Sequence, residues 1–167
     1  MTNIIIGNII SFIAAIFMAI SCAVKKRKTI FYLQALNCFV LAVASVFFGA
    51  YAGITTLIIS TLRNLIVAHD KYTKPVMYVF LVLTVILGVI ANNRGFIGLL
   101  PVIATVQYTL CLNLSKGLLF TRISIFVNTA IWVTYSFIIR DFSTACMDSI
   151  SLVTVTVAII TMIFKKT

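Results

Sequence analysis

Apolar runs separated by short polar or basic breaks fill the chain from end to end. The pattern predicts seven helices, over residues 3–24, 29–48, 51–68, 75–91, 95–114, 117–139 and 142–164. Several of these runs exceed the ~18 apolar residues that suggest a membrane-spanning helix. Lys25-Lys26-Arg27-Lys28 closes the first run, an uncharged Gly49-Ala50 link closes the second, and the polar stretch 69–74 closes the third. Pro75 suits the first turn of the fourth, where its missing N–H would find no partner anyway. Asn92-Asn93-Arg94 breaks the chain again. Within 116–140, Thr121, Ser124, Asn128, Trp132 and Tyr135 recur at spacings of three and four, so one helix face carries them all.

The same pattern contains an internal repeat. Sliding the sequence by 91 positions without a gap pairs Gly7 with Gly98, Lys25 with Lys116, Asn37 with Asn128, Ser45 with Ser136, Ile59 with Ile150 and Ser60 with Ser151. Runs one to three then match runs five to seven in the same orientation, with the fourth as an odd linker. That linker has only Tyr78 and Thr84 as polar side chains. The expected fold is an all-α integral membrane protein: a first triple-helix bundle over 1–74, a linker helix over 75–94 and a second triple-helix bundle over 95–167.

Composition agrees. With 62% hydrophobic and 10% charged residues, the chain lacks the roughly one-quarter charged content of a soluble domain. The net charge of +10 would suit nucleic acid, yet the basic residues punctuate the ends of the runs and form no soluble basic face, which excludes that partner. With the N-terminus outside, Lys25, Lys26, Arg27, Lys28, Lys71, Lys74, Lys116, Lys165 and Lys166 fall on the cytoplasmic side, against Arg94 and Arg140 on the other. The excess of Lys and Arg in cytoplasmic loops therefore predicts N-terminus out and C-terminus in. Arg63 and Arg122 lie about a turn and a half inside their runs at the cytoplasmic end, where a long side chain can snorkel. The charges of the first run follow its apolar core, so it is expected to be retained as a helix and not cleaved as a signal.

Polar groups inside the runs carry the candidate chemistry. Asn37 and Asn128 fall near the middle of theirs, where an unpaired amide in hydrocarbon costs a few kcal/mol. They either bond neighbouring helices or face a polar cavity. Trp132 lies one turn from Asn128, as core packing or as a flat wall for a ring-shaped solute; Tyr135 suits an interfacial belt. Gln107 follows Pro101, which should kink the fifth helix. Asp148, flanked by Thr144 and Ser151, is a carboxylate within a span and hence a candidate for proton or cation binding, or a partner for Arg140. Arg63 extends a stripe with Gly53, Thr56 and Ser60 and suits gating, an anionic group or a lipid headgroup. Cys22, Cys38, Cys111 and Cys146 read as packing residues without disulfide or zinc spacing, and His69 as a loop residue. The chain has no glutamate, no nucleophile paired with a base and no phosphate-cradling glycine loop, so no enzyme activity, cofactor or metal is expected.

Four segments carry a family likeness: KKRKTIFYLQALN (25–37), FFGAYAGITTLIISTLRN (47–64), GLLPVIATV (98–106) and IWVTYSFI (131–138). They resemble the bacterial YgjV-type inner-membrane family, and the three-one-three plan is similar to the SWEET/MtN3 superfamily of small transporters. The resemblance implies the bacterial inner membrane and two triple-helix bundles around a central solute pathway. The chain departs from the sugar-carrying branch in lacking Pro-Gln pairs and in placing its Asn pair on runs two and six. The expected function is alternating-access transport of a small polar solute. Asn37, Gln107, Asn128 and Trp132 would bind it, while Arg63 and Asp148 would serve gating or ion coupling. Expected partners are the lipid bilayer and the solute, with a homo-oligomer allowed. The alternative is a non-transporting accessory or scaffold protein of the same membrane.

Overall fold

A computed structural model describes residues 1–24, 26–114 and 118–164. They form seven helices: α1 (Thr2–Ala23), α2 (Arg27–Phe47), α3 (Tyr51–Ala68), α4 (Lys74–Ile90), α5 (Gly95–Leu114), α6 (Leu118–Ile139) and α7 (Phe142–Phe164). No strand occurs among the described residues. The protein is all-α, as expected, and the element ends fall within two residues of the predicted ones. The topology markers Lys25, Lys116, Lys165 and Lys166, and with them the Lys25–Lys116 repeat pair, lie outside the described residues. Helices satisfy every mid-chain backbone group internally, which is what hydrocarbon demands of a spanning segment.

Six helices are long and apolar enough to cross a membrane. The exception is α4, with 17 residues, or ~26 Å at 1.5 Å per residue against ~30 Å of hydrocarbon. It buries one stripe, Met77, Phe80, Thr84 and Gly88, and packs on α3 and α5. Gly88 allows this approach: a Cβ there would lie 2.6 Å from a methyl of Val102 and 3.5 Å from Thr56.

The other six close a ring in the order α1, α2, α3, α5, α6, α7, with α7 returning to α1. Exchanging the first three helices for the last three maps this adjacency onto itself. The first and third helices of each triplet have no Cα atoms within 8 Å of each other, so each triplet is a row along the ring. Helices 8–10 Å apart in a regular ring of six place opposite axes ~16–20 Å from each other, leaving a middle that side chains, water or solute must fill.

The repeat continues into backbone detail. At the α2–α3 turn, Gly49 N–H donates to Val46 O at 3.1 Å and Ala50 N–H to Ser45 O at 3.1 Å. At the α6–α7 turn, Arg140 N–H donates to Phe137 O at 3.2 Å and Asp141 N–H to Ser136 O at 2.9 Å. Each atom of one turn has its counterpart 91 residues away in the other. Gly49 and Arg140 both take the left-handed conformation, with φ of 61° and 66°. The side chain of Arg140 does so against the steric preference that glycine escapes.

Antiparallel packing puts both turns on the face that also carries Met1. Just beneath that N-terminal face, Ala44, Phe48, Ala50, Tyr135 and Ile139 form a buried cluster, against which Ile4, Ile10, Leu100 and Trp132 pack. The ring is therefore plugged at this end by α1, α2, α5 and α6. Tyr135, expected at an interfacial belt, is 1% exposed instead. Its hydroxyl sits over Gly53, where an added Cβ would come within 3.0 Å.

Candidate functional site

Below the plug, the helix faces that build it continue into polar residues. Asn37 lies seven residues before Ala44 and eleven before Phe48, so it shares their face of α2. Asn128 precedes Trp132, Tyr135 and Ile139 by four, seven and eleven residues and shares theirs on α6. Gln107 follows Leu100 by seven on α5. At 1.5 Å per residue, Asn37 is ~15 Å and Asn128 ~17 Å from the N-terminal ends of their paths, near mid-depth. Both are half-buried, and neither has a hydrogen bond among the described residues. They sit on helices whose backbones do not touch.

Gln107 is tied down on one side only. Its Nε2 donates to Ser124 Oγ at 2.8 Å and to Ser124 O at 3.3 Å, joining α5 to α6. Its Oε1 is buried without a partner. Trp132 packs against the plug and meets Tyr135 edge to face, with ring centroids 5.9 Å apart. Among the described residues, one surface concavity is lined by Leu65, Ile66, His69 and Lys71 and another by Ile123, Phe126, Thr156, Ile159 and Ile160. Neither is lined by the six residues singled out from the sequence.

Asp148 lies on the face of α7 that buries Thr144 and Ala145, and is itself half-buried. Its expected partners are engaged elsewhere. Thr144 Oγ1 donates to Asp141 at 2.8 Å, and Ser151 Oγ to Met147 O at 3.1 Å. Arg140 is exposed at the turn and makes no ion pair with Asp148. Among the described residues, Asp148 has no hydrogen-bond partner.

Arg63 departs from the expectation of snorkelling: it is 4% exposed, held between α3 and α5. Its Nη1 donates to Thr109 Oγ1 at 2.8 Å, and its guanidinium lies 5.2 Å from the centre of the Tyr108 ring. Tyr72, in the loop before α4, donates to Thr109 O at 3.2 Å, bracing the same spot. Burial pushes the Tyr72 hydroxyl above its ordinary pKa, and the Arg63 charge opposes that shift.

Two latches at the N-terminal face were not legible in the sequence. Asn8 on α1 donates from Nδ2 to Arg140 O at 2.9 Å and accepts at Oδ1 from Ser143 N–H at 3.0 Å. Asn93, ahead of α5, donates from Nδ2 to Gly49 O at 2.9 Å, and Arg94 Nη2 donates to Phe48 O at 2.6 Å. Gly49 and Arg140 are repeat counterparts, so an asparagine amide meets the same carbonyl of each turn, from α1 at Arg140 and from the loop before α5 at Gly49. Asp141 strengthens the first latch. It caps α7 by accepting Thr144 N–H at 3.1 Å and also accepts the Ser11 hydroxyl at 2.8 Å. Burial raises the Asp141 pKa, opposed by the bonds from Thr144 and Ser11. An Asp three residues before a Thr at the start of an apolar run was the available signal for that cap.

The family model Imp-YgjV, described as a bacterial inner membrane protein, matches residues 5–166. No curated protein and no solved structure matches the chain.

Proposed function

The chain belongs to the Imp-YgjV family of bacterial inner membrane proteins, and from that premise we propose that it carries a small polar solute across this membrane by alternating access. The carrying observation is the contrast along the ring axis. The N-terminal face is plugged and latched by contacts between the triplets, with Arg94 Nε and the Tyr135 hydroxyl buried there unpartnered, while Asn37, Asn128 and the Gln107 carbonyl near mid-depth, and Asp148 above them, have no hydrogen-bond partner among the described residues. Polar groups left bare at membrane depth are costly unless something binds them.

In this reading the two triplets are SWEET-like units that rock against each other about the midplane. The N-terminal face is periplasmic, as the basic residues Lys26, Lys28, Lys71 and Lys74 at the opposite face favour. A carrier latched in this way is closed to the periplasm, and transport would require the Asn8 and Asn93 latches to open. Asn37, Gln107 and Asn128 offer amide donors and acceptors to the solute, with Trp132 as the floor of the plug. Asp148 supplies the titratable group for proton or cation coupling. No enzymatic step, cofactor or metal enters.

Uptake into proteoliposomes, screened across sugars, nucleosides, vitamins and amino acids, tests this directly. A solute that accumulates with wild type and fails with Asn128→Leu is expected. Uptake unchanged by Asn128→Leu would overturn the site assignment, and no uptake of any class would remove the carrier. The rival, a helical scaffold, draws on the tight aromatic packing of Trp132 and Tyr135. It predicts that Asn128→Leu changes nothing but stability.

A further inference from the structure

Arg63 holds a charge with no ion-pair partner among the described residues. A guanidinium has five N–H donors and stays protonated. Nη1 meets Thr109 Oγ1 at 2.8 Å, Nη2 reaches Asn64 Oδ1 only at 3.5 Å, and Nε is buried with no partner. Thr109 spends its own hydroxyl proton on Thr105 O at 2.6 Å, so towards Arg63 it can act only as an acceptor. The chain has three acidic residues. Asp141 is committed to the latch at the N-terminal face, Asp148 belongs to the N-terminal-face half of α7, and Asp70 lies beyond the end of α3. None forms an ion pair with Arg63 among the described residues. A buried cation with an open donor edge is costly unless it is paired.

The open edge has a shape. Nε and Nη2 lie along one edge of the planar guanidinium, the pair that grips the two oxygens of a carboxylate or phosphate in parallel. Asn64 Nδ2, beside it, is occupied only by a weak 3.7 Å contact to Cys38 Sγ and can turn to an oxyanion instead. The Tyr108 ring covers one face of the guanidinium. Lys71 and Lys74 at the same end of the ring add positive potential that draws anions inward. We infer that the α3–α5 seam is an oxyanion-binding site, with Arg63 as its fork and Asn64 as its second donor.

Position makes this more than a charge trap. α3 ends the first triplet and α5 begins the second, so a bound anion touches both moving units. The counterpart seam between α7 and α1 has Thr154 and Val155 where α3 has Arg63 and Asn64. Only one seam is thus built for charge. The inference deepens the carrier reading by making the solute anionic, and rests on that reading for transport; binding itself does not.

The test starts with the wild-type protein in an uncharged maltoside detergent, titrated with inorganic phosphate and separately with succinate while thermal unfolding is followed. A concentration-dependent rise in Tm is expected. Arg63→Met should weaken the half-effect concentration at least about tenfold, the loss of a charge-assisted pair. Arg63→Lys should fall between, since its point charge lacks the fork. A second arm uses phosphatidylcholine nanodiscs with and without phosphatidylglycerol. Retention of phosphatidylglycerol by wild type but not by Arg63→Lys, without a response to the free anions, assigns the oxyanion to a lipid headgroup and keeps the site. Wild type indifferent to all three probes overturns it, as does a response that Arg63→Lys and Arg63→Met leave unchanged. Should Arg63→Met fail to fold, the wild-type titration and Arg63→Lys decide alone. Anion binding without anion uptake in proteoliposomes would sink the carrier and leave the site, whereas uptake of a neutral solute with no anion response would do the reverse.

Discussion

The two halves of the ring differ in how completely their polar groups are satisfied. At the N-terminal face, Asn8, Ser11, Asn93 and Asp141 all find partners and an asparagine amide holds the same carbonyl of each paired turn, although Arg94 Nε and the Tyr135 hydroxyl are buried there without a partner. At mid-depth and below, Asn37, Asn128, the Gln107 carbonyl and Arg63 Nε have none among the described residues, nor has Asp148 in the upper half of α7, and the repeat keeps the Asn37–Asn128 pair but loses Arg63 and Asn64 to Thr154 and Val155. Several bonds join the two triplets across the N-terminal face, whereas below it the Arg63–Thr109 bond joins them. Unsatisfied groups cost stability, which a protein bears at a place where something binds. Substitutions separate the two halves, because each should respond on a different readout.

The largest stability loss is expected from Tyr135→Ala. Tyr135 is fully buried in the plug over Gly53, and removing an aromatic ring from a packed core costs about 3–5 kcal/mol. Thermal unfolding in detergent measures it; a cost below about 1 kcal/mol would mean that the plug is loose. Asp141→Ala comes next, at about 2 kcal/mol, since it strips a helix cap and leaves the Ser11 hydroxyl without its acceptor.

Asp141 also gives the plug a pH dependence. Burial raises its pKa above 3.8, so the folded chain holds that proton more tightly than the unfolded chain does. Its contribution is therefore fully present below the unfolded value and is lost as pH rises through the folded one. Acidification from neutral should stabilise wild type relative to Asp141→Asn. An equal slope in both would contradict the assignment.

The latches should weigh less. Asn8→Ala removes three hydrogen bonds, two of them to the α6–α7 turn, and Asn93→Ala one, at ~0.5–1.5 kcal/mol per bond, so Asn8→Ala should be the more damaging. The smallest stability effect should come from Asn37→Leu and Asn128→Leu, within about 1 kcal/mol of wild type, because no bond is lost. Their effect belongs to solute binding. A loss of several kcal/mol on unfolding would expose them as structural and narrow the contrast.

Much of this architecture was legible beforehand. Charges and Gly49 mark where apolar runs must end, so the helix limits came out within two residues. The 91-residue register was readable from Gly7/Gly98, Ser45/Ser136 and Asn37/Asn128, and the paired turns carry it. What stayed hidden was orientation about each helix axis. Lipid is as apolar as a core, so periodicity does not tell a lipid-facing stripe from a buried one. Tyr135 therefore looked like a belt residue, and Arg63 looked free to snorkel. The latches were hidden because they join side chains to backbone carbonyls more than 40 residues away, at positions that no spacing rule marks.

Access to Asn128 from the two sides of the membrane separates a solute pathway from a filled ring. An Asn128→Cys variant, on a background with Cys22, Cys38, Cys111 and Cys146 replaced by alanine, is reconstituted in proteoliposomes and exposed to a membrane-impermeant maleimide. Labelling from the cytoplasmic side only, with periplasmic labelling appearing once Asn8→Ala and Asn93→Ala are added, is the predicted result. A thiol that stays unreactive from both sides, latches intact or removed, would contradict a solute pathway through this ring.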